Sequence, residues 1–181
     1  VDGAGRVHLV WLDKRAKDAA GGAYAGIALY HAMSTDGARF GPNSKLADHT
    51  CECCRIAVAL DTDGVPAALW RHVFDKNTRD HALLRLDGAS ALMRASHDDW
   101  RVDGCPHHGP ALSIGPDGVY HLAWFTGAPG RTGLYYRRSH DQGKKFTEPM
   151  RFGNTDAQPA RPQVLSFGKR VVLAWKEFDG K

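Results

Sequence analysis

The chain of 181 residues lacks any long apolar run. No stretch of 18 or more apolar residues occurs, so the sequence predicts no transmembrane helix. The first residues also lack the pattern of a signal peptide, and they read as the inside of a strand. We therefore expect further sequence of the same protein before Val1.

Clustered positive charge is also missing. The net charge is +4, no run of five Lys or Arg residues occurs, and no basic stripe alternates with aromatic residues. This pattern does not favour nucleic acid as a partner. A sustained helical period of 3.6 residues is absent as well, whereas 20 glycines and nine prolines are spread along the chain. Such a composition is typical of many short strands joined by tight turns.

Cysteine is scarce but concentrated. Three of the four cysteines lie in "CECC" at 51–54, and the fourth, Cys105, begins the run "CPHHG". Both runs stand at the same point of an internal repeat, since "CECCRIAVALDTDGVPAALW" aligns without a gap with "CPHHGPALSIGPDGVYHLAW". The alignment places Trp70 on Trp124, and partial copies of the repeat occur at 3–13 and 160–178.

Each repeat predicts four strands. A short apolar strand leads to a D-G or G-K turn, and a second strand then ends in Trp, as in "VPAALW" and "VYHLAW". A polar loop, a third strand and a fourth strand complete the unit. Four strands in roughly 50 residues are typical of a propeller blade. We predict an all-β fold of four-stranded antiparallel blades, in which the four repeated tryptophans pack between blades.

The blade count predicts an incomplete propeller. Two full blades cover about 51–104 and 105–158, and partial blades cover about 1–50 and 159–181, so that the chain is one propeller domain of three to four blades. An open array of blades exposes strand edges. We expect the remaining blades, from this protein or from another chain, as its partner.

A turn after the third strand carries a family resemblance. "SHDQGKKF" at 139–146 fits the pattern Ser-x-Asp-x-Gly-x-x-aromatic, and "STDGARF" at 34–40 fits it with one residue fewer. In such a turn Asp accepts backbone N–H groups, Gly supplies a positive φ and the aromatic ring plugs the blade. The pattern resembles the Asp box (BNR repeat) of sialidase-like β-propellers, and the resemblance implies a six-bladed propeller of which this chain is a part. The residues concerned are Ser34, Asp36, Gly37, Phe40, Ser139, Asp141, Gly143 and Phe146.

The resemblance implies where the cysteine runs lie. Asp boxes lie at the bottom of a propeller, so first strands begin at the top, and both runs precede a first strand. We therefore expect them side by side on the top rim. The loop at 70–81, between a second and a third strand, is expected beside them. Its charged and aromatic members form a nearby, solvated rim: Arg71, His72, Arg79, Asp80 and His81.

Three interpretations of the cysteine runs stay open. The first is disulfides, for which four cysteines allow three pairings, or a strained bond between the adjacent Cys53 and Cys54. The second is a zinc or copper site. If both runs are extended, alternate residues share a face, which gives a Cys₃His set. The third is buried thiols with no common role. The candidate ligands are Cys51, Cys53, Cys54, Cys105, His107 and His108.

The sialidase resemblance also implies catalytic residues. Such enzymes hold a carboxylate with three arginines and use a Tyr nucleophile with acidic partners. Arg55 and Arg161 begin first strands as the resemblance requires, while the second full blade has Gly109 at that place. Tyr24 is the tyrosine that falls in a top loop. A complete catalytic set is not visible in this stretch of sequence.

These patterns favour two hypotheses for the function of the protein. The leading hypothesis is an exported, non-hydrolytic binding or accessory module, periplasmic or secreted, with a Cys/His-rich metal or redox centre on its top face. The alternative is an exo-sialidase or related glycan-processing hydrolase in which the cysteines are disulfide staples. A glycan is an expected ligand in either case.

Overall fold

The computed structural model describes residues 1–15, 27–178 and 180. Its regular structure is β-strand apart from two 3-10 turns at Asp75–Asn77 and Thr155–Ala157. Four antiparallel sheets follow one another along the chain. Sheet I contains β1 (Val7–Asp13), β2 (Ile27–Ser34) and β3 (Ser44–Thr50), and sheet II contains β4 (Ala57–Leu60), β5 (Pro66–Arg71), β6 (His81–Arg85) and β7 (Met93–Arg94). Sheet III contains β8 (Ala111–Ile114), β9 (Tyr120–Thr126), β10 (Gly133–Ser139) and β11 (Met150–Phe152), and sheet IV contains β12 (Ala160–Phe167) and β13 (Arg170–Lys176).

The sheets are arranged as blades. Strand order within sheets II and III follows the chain, so that β4 and β8 are their first strands. Strand β8 packs against β4 on one side and β12 on the other. This radial stacking of first strands confirms the predicted all-β, partial propeller. The blade boundaries given above stay predictions.

Apolar layers between the sheets hold the blades together. Leu69 and Leu83 of sheet II pack with Leu122 and Trp124 of sheet III, and all four are almost fully buried. Burying each of these side chains contributes about 1.5–3 kcal/mol relative to exposure. Trp70 fills the corresponding layer between sheets I and II.

The repeated tryptophans are not all equivalent. Trp70 and Trp124 are buried as predicted, whereas Trp175 is 40% exposed. Trp175 lies on β13, the last described strand, and no following sheet covers that face in the described residues. Its ring packs edge-on against Phe152 with centroids 5.2 Å apart.

The Asp-containing turn at 139–146 joins β10 to β11, the third and fourth strands of sheet III, and the shorter turn at 34–40 joins β2 to β3 of sheet I. The Asp141 carboxylate accepts the Ser139 hydroxyl at 2.8 Å and the backbone N–H of Lys145 at 2.8 Å. Its aromatic residue, Phe146, packs against the core between sheets II and III. The shorter turn differs, because Phe40 is 40% exposed and plugs nothing.

Sheet II has a turn of the same kind that the sequence pattern missed. Asp87 accepts the backbone N–H groups of Ala89 and Ser90 at 3.0 and 2.8 Å. The segment lacks both the leading Ser and the final aromatic residue, so the motif does not reveal it.

Candidate functional site

The four cysteines meet where sheets II and III adjoin. Residues 51–54 form a turn just before β4, and Cys105 lies in the segment that leads to β8. The backbone N–H of Cys51 donates to the carbonyl of Arg71 at 3.0 Å, which ties the turn to the end of β5. We call Cys51, Cys53, Cys54 and Cys105 the thiol site. It lies at the start of the first strands, beside the connection from β5 to β6.

The thiol site is compact. The Sγ atom of Cys51 lies 4.0 Å from that of Cys53 and 3.7 Å from that of Cys54, and Cys53 and Cys54 are 4.0 Å apart. Cys105 belongs with Cys51 and Cys53 to a group whose sulfur atoms all lie within 4.8 Å of one another. The four cysteines are unbridged in this structure, and the three measured sulfur separations are longer than a disulfide bond.

The distances among Cys51, Cys53 and Cys54 match three edges of a tetrahedral metal site. Cys105 lies close to Cys51 and Cys53, and Cys54 does not belong to that second trio. A zinc ion with Zn–S bonds of about 2.3 Å places its sulfur ligands about 3.8 Å apart, which is the edge of the tetrahedron. Thiolates are also the ligands preferred by Cu(I). Residues 51–54 form a turn that brings adjacent cysteines to one side. The extended backbone on which the predicted Cys₃His set depends is therefore not present in this segment.

His107 is not brought into the site. Within the described residues, the group of close ligand atoms around Cys51 contains no histidine. His107 is exposed and has a left-handed backbone with φ of 55°, which breaks the alternation expected of a strand. His108 instead stacks on Phe125 with centroids 4.1 Å apart, and its buried Nδ1 atom has no hydrogen-bond partner.

Two arginines surround the buried side of the thiol site. The Nη1 group of Arg79 donates to the Sγ atom of Cys51 at 3.4 Å. Arg71 is 1% exposed, and its guanidinium donates to the carbonyls of His108 at 3.0 Å and Phe125 at 2.8 Å. A carboxylate does not bond to Arg71 in the described part of the chain. A buried cation without an anionic partner is costly, so negative charge nearby is expected.

The thiols supply that charge. Burial lowers the pKa of Arg71, while the neighbouring Cys54 and Cys51 act to raise it. In turn, a hydrogen bond from Cys54, together with the N–H groups of Cys53 and Arg79, lowers the pKa of Cys51 to about 5. The hydrogen bond to Cys51 and burial raise the pKa of Cys54. The lowered pKa of Cys51 favours a thiolate at this position, beside the guanidinium groups of Arg79 and Arg71.

The residues expected on a solvated rim are mostly interior, which corrects the sequence-based expectation. Arg71, His72, Asp80 and His81 are all buried. Arg71 ends β5 and His81 begins β6, and the backbone N–H of the adjacent His72 donates to the carbonyl of Asp80 at 2.8 Å, which continues the strand pairing. Asp80 pairs with Arg94, and its Oδ1 atom has no partner in the described residues. His72 packs edge-on against Phe74 and Trp70. Burial lowers the pKa of His72 to about 4.

The two arginines of the sialidase resemblance are neighbours. Arg55 donates to the carbonyl of Pro162 at 2.7 Å, and burial followed by the charge of Arg161 lowers its pKa. Both side chains remain exposed. Gly109 lies between sheets II and III, where an added Cβ would stand 2.6 Å from the carbonyl oxygen of Arg55. Tyr24 lies outside the described residues.

Two residues that shape the surroundings of the thiol site carry no clear signal in the sequence. Trp100 stacks under Arg71, with the guanidinium carbon 4.9 Å from the ring centre, although the pattern of repeats does not mark it. Gly109 replaces an arginine of the preceding repeat, and that difference is the one hint of a close approach between sheets.

Comparisons with known proteins identify the fold alone. No family model and no curated protein sequence matches the chain. Among solved structures, fructan 1-exohydrolase IIa from Cichorium intybus is similar, with a TM-score of 0.53 and 14% identity over 97% of this chain and 38% of its own. Native arabinanase Arb43A from Bacillus subtilis has a TM-score of 0.50 and 15% identity over 98% of this chain and 66% of its own. The chain thus spans 38% of the exohydrolase, and its structural neighbours are β-propeller glycoside hydrolases. The finer assignment to Asp-box sialidases has no support from these comparisons.

No helix in the described part of the chain has the length and apolar character needed to cross a membrane.

Proposed function

We propose that the chain is part of an exported propeller that binds one soft metal ion, zinc or Cu(I), through Cys51, Cys53, Cys54 and Cys105, and that serves as a non-hydrolytic binding or accessory module. The observation that carries the proposal is the set of 3.7–4.0 Å distances among the first three sulfur atoms, with Cys105 within 4.8 Å of two of them. The three short distances are close to those of ligands that share one tetrahedral ion, and Cys105 and Cys54 would move towards each other when the ion binds.

Charge balance supports a thiolate site. Four thiolates around one divalent ion carry a net charge of about −2. Arg71 and Arg79 are the cations beside the sulfurs, and together they neutralise that charge. Without metal, the negative charge near the buried guanidinium of Arg71 is smaller and comes from Cys51, Cys54 and Asp80. The arginines therefore favour the loaded form over the empty one.

The metal would also act as a staple between blades. Three ligands precede β4 of sheet II and the fourth precedes β8 of sheet III. Binding a metal to the folded state alone stabilises that state by mass action, by about 4 kcal/mol when the free metal is a thousandfold above its dissociation constant. Chelation should therefore lower the melting temperature of the purified protein.

Metal analysis with matched variants tests the proposal. We expect about one equivalent of zinc or copper in the purified protein, and four thiols that react only after chelation and denaturation. Cys54→Ser and Cys105→Ser should each lose most of the metal, whereas His107→Ala should keep it. A protein without metal whose thiols appear only after reduction would replace the metal site with disulfides. Retention of metal by Cys54→Ser and loss by His107→Ala would restore the Cys₃His set.

A glycan-processing hydrolase is the second candidate. Two observations favour it: the structural neighbours are propeller hydrolases named for fructan and arabinan, and Arg55 and Arg161 lie side by side and exposed. Assays with a fluorogenic sialoside, a fructan and an arabinan decide between the candidates. Turnover that is lost in Arg55→Gln would favour the enzyme, and its absence in metal-loaded protein would favour the binding module.

A further inference from the structure

A small cavity lies between sheets III and IV, at the opposite end of the strands from the thiol site. Its volume is about 120 Å³, which is large enough for a small ion with water. The turn between β8 and β9 and the turn between β12 and β13 form its walls. The lining comes from described residues of both sheets.

The floor of the cavity is a row of hydrogen-bonding side chains. Ser113, His121 and Arg138 are directly opposite one another on β8, β9 and β10, so their side chains share one face of sheet III. Ser113 also bonds to the Ser166 hydroxyl at 2.8 Å and accepts the backbone N–H of Ser166 at 2.9 Å, which fixes β12 against this row.

His121 is set to donate into the cavity. It is 5% exposed, and its Nδ1 atom lies 2.7 Å from the hydroxyl of Tyr136. When the phenol donates to Nδ1, the N–H of the neutral ring is at Nε2, on the side away from Tyr136. Burial lowers the pKa of His121, which agrees with a neutral ring.

The cavity has more positive charge than its own acids balance. Arg138, Lys169 and Arg170 line it, and none of them forms an ion pair within residues 1–15, 27–178 and 180. Asp117 is the single carboxylate of the lining, and its Oδ1 atom already accepts the backbone N–H of Val119 at 3.2 Å. Three cations against one carboxylate leave a local charge of about +2, which favours an anion.

We propose that this cavity, the base anion site, binds a tetrahedral oxyanion, phosphate or sulfate, either as the free ion or as an ester group. Its volume suits a small ion, and its lining offers donors on several sides. Guanidinium and ammonium groups recognise such oxygens through charge-assisted hydrogen bonds. The site is independent of the thiol site, so its failure would leave the metal proposal standing.

Calorimetric titration of the purified protein at low ionic strength tests the site, with inorganic phosphate, inorganic sulfate, glucose 6-phosphate and glucosamine 6-sulfate as probes. We expect saturable binding that Lys169→Gln/Arg170→Gln weakens by roughly tenfold or more, since two charge-assisted contacts are lost. Lys144→Gln/Lys145→Gln is the matched control, because it removes the same charge from exposed positions that do not line the cavity.

The outcomes separate the alternatives. Tighter binding of a sugar ester than of the free ion would assign the site to an anionic glycan, and tighter binding of the free ion would assign it to phosphate or sulfate itself. Absence of saturable binding by the unaltered protein would overturn the proposal. Equal weakening in both double variants would overturn it too, because that result indicates general attraction to a basic surface. Titrations before and after chelation should agree.

Discussion

Substitution of Gly109 by Ala gives a sharp test of how sheets II and III are held in register. An added Cβ would stand 2.2 Å from Cγ of Arg55, 2.6 Å from its carbonyl oxygen and 2.9 Å from its backbone nitrogen. The side chain of Arg55 can rotate away, but its backbone cannot. Ordinary contact begins at about 3.4 Å, so the two segments must separate by roughly 0.8 Å at the carbonyl oxygen.

Such overpacking costs about 1–3 kcal/mol, and we expect the upper end because the clash is with backbone atoms. For a chain of this size that loss lowers the melting temperature by roughly 10 °C. Cys105 lies on the same lead segment, four positions before Gly109, so the shift should also move it away from the other thiols. We expect Gly109→Ala to bind less metal as well as to melt earlier.

Gly104→Ala is the matched control for this experiment. The nearest atom to its added Cβ is Cγ2 of Val102 at 4.0 Å, so the change should alter stability by less than about 0.5 kcal/mol. Thermal unfolding and metal content of both variants are measured side by side. An unchanged melting temperature for Gly109→Ala would refute the close packing of the lead segment against Arg55.

Three further predictions concern other parts of the fold. Asp61→Asn should cost about 1–3 kcal/mol in denaturant unfolding, because Arg85 and Tyr120 both bond to this buried carboxylate while Arg85 keeps Asp63 and Asp87 as partners; an unchanged stability would contradict the buried hydrogen bonds. The pKa of His72 falls from 6.5 to about 4 on folding, so the unfolded state binds a proton at a higher pH than the folded state does. The free energy of unfolding should therefore drop by about 3 kcal/mol as the pH falls from 6.5 to 4. A His72→Gln variant should lose that part of the pH dependence. Phe146→Ala should destabilise by about 2 kcal/mol or more and Phe40→Ala by under 1, and equal effects would show that the two Asp-containing turns are packed alike.

The sequence determined the strand pattern and the propeller. The period-2 alternation, the D-G turns and the strands that end in Trp are local features that each repeat carries by itself, and the stacking of β4, β8 and β12 agrees with them. The Asp-containing turn at 139–146 was equally readable, since its hydrogen bonds join residues within five positions. Phe40 was misjudged because the burial of a turn residue depends on the neighbouring sheet.

The sequence predicted the location of the thiol site but not its full set of ligands. The clustering of cysteines marked the place, but the sequence could not decide between Cys54 and His107 as the fourth member. That choice depends on whether residues 51–54 are extended or turned, and the hydrogen bond from the N–H of Cys51 to the carbonyl of Arg71, from a different strand, accompanies the turn. Period-2 reasoning fails wherever a non-local bond bends the chain.

Burial of charge was likewise decided by tertiary structure. Arg71 and Asp80 belong to a polar stretch that reads as a solvated loop, yet both are interior. Arg71 lies at the end of β5, and Asp80, just before β6, is held by Arg94 and by the backbone N–H of Asp99. A sequence records which residues can carry charge, whereas their solvation depends on what the rest of the chain places over them. The same applies to the base anion site, whose donors come from two sheets that pack together only in the folded protein.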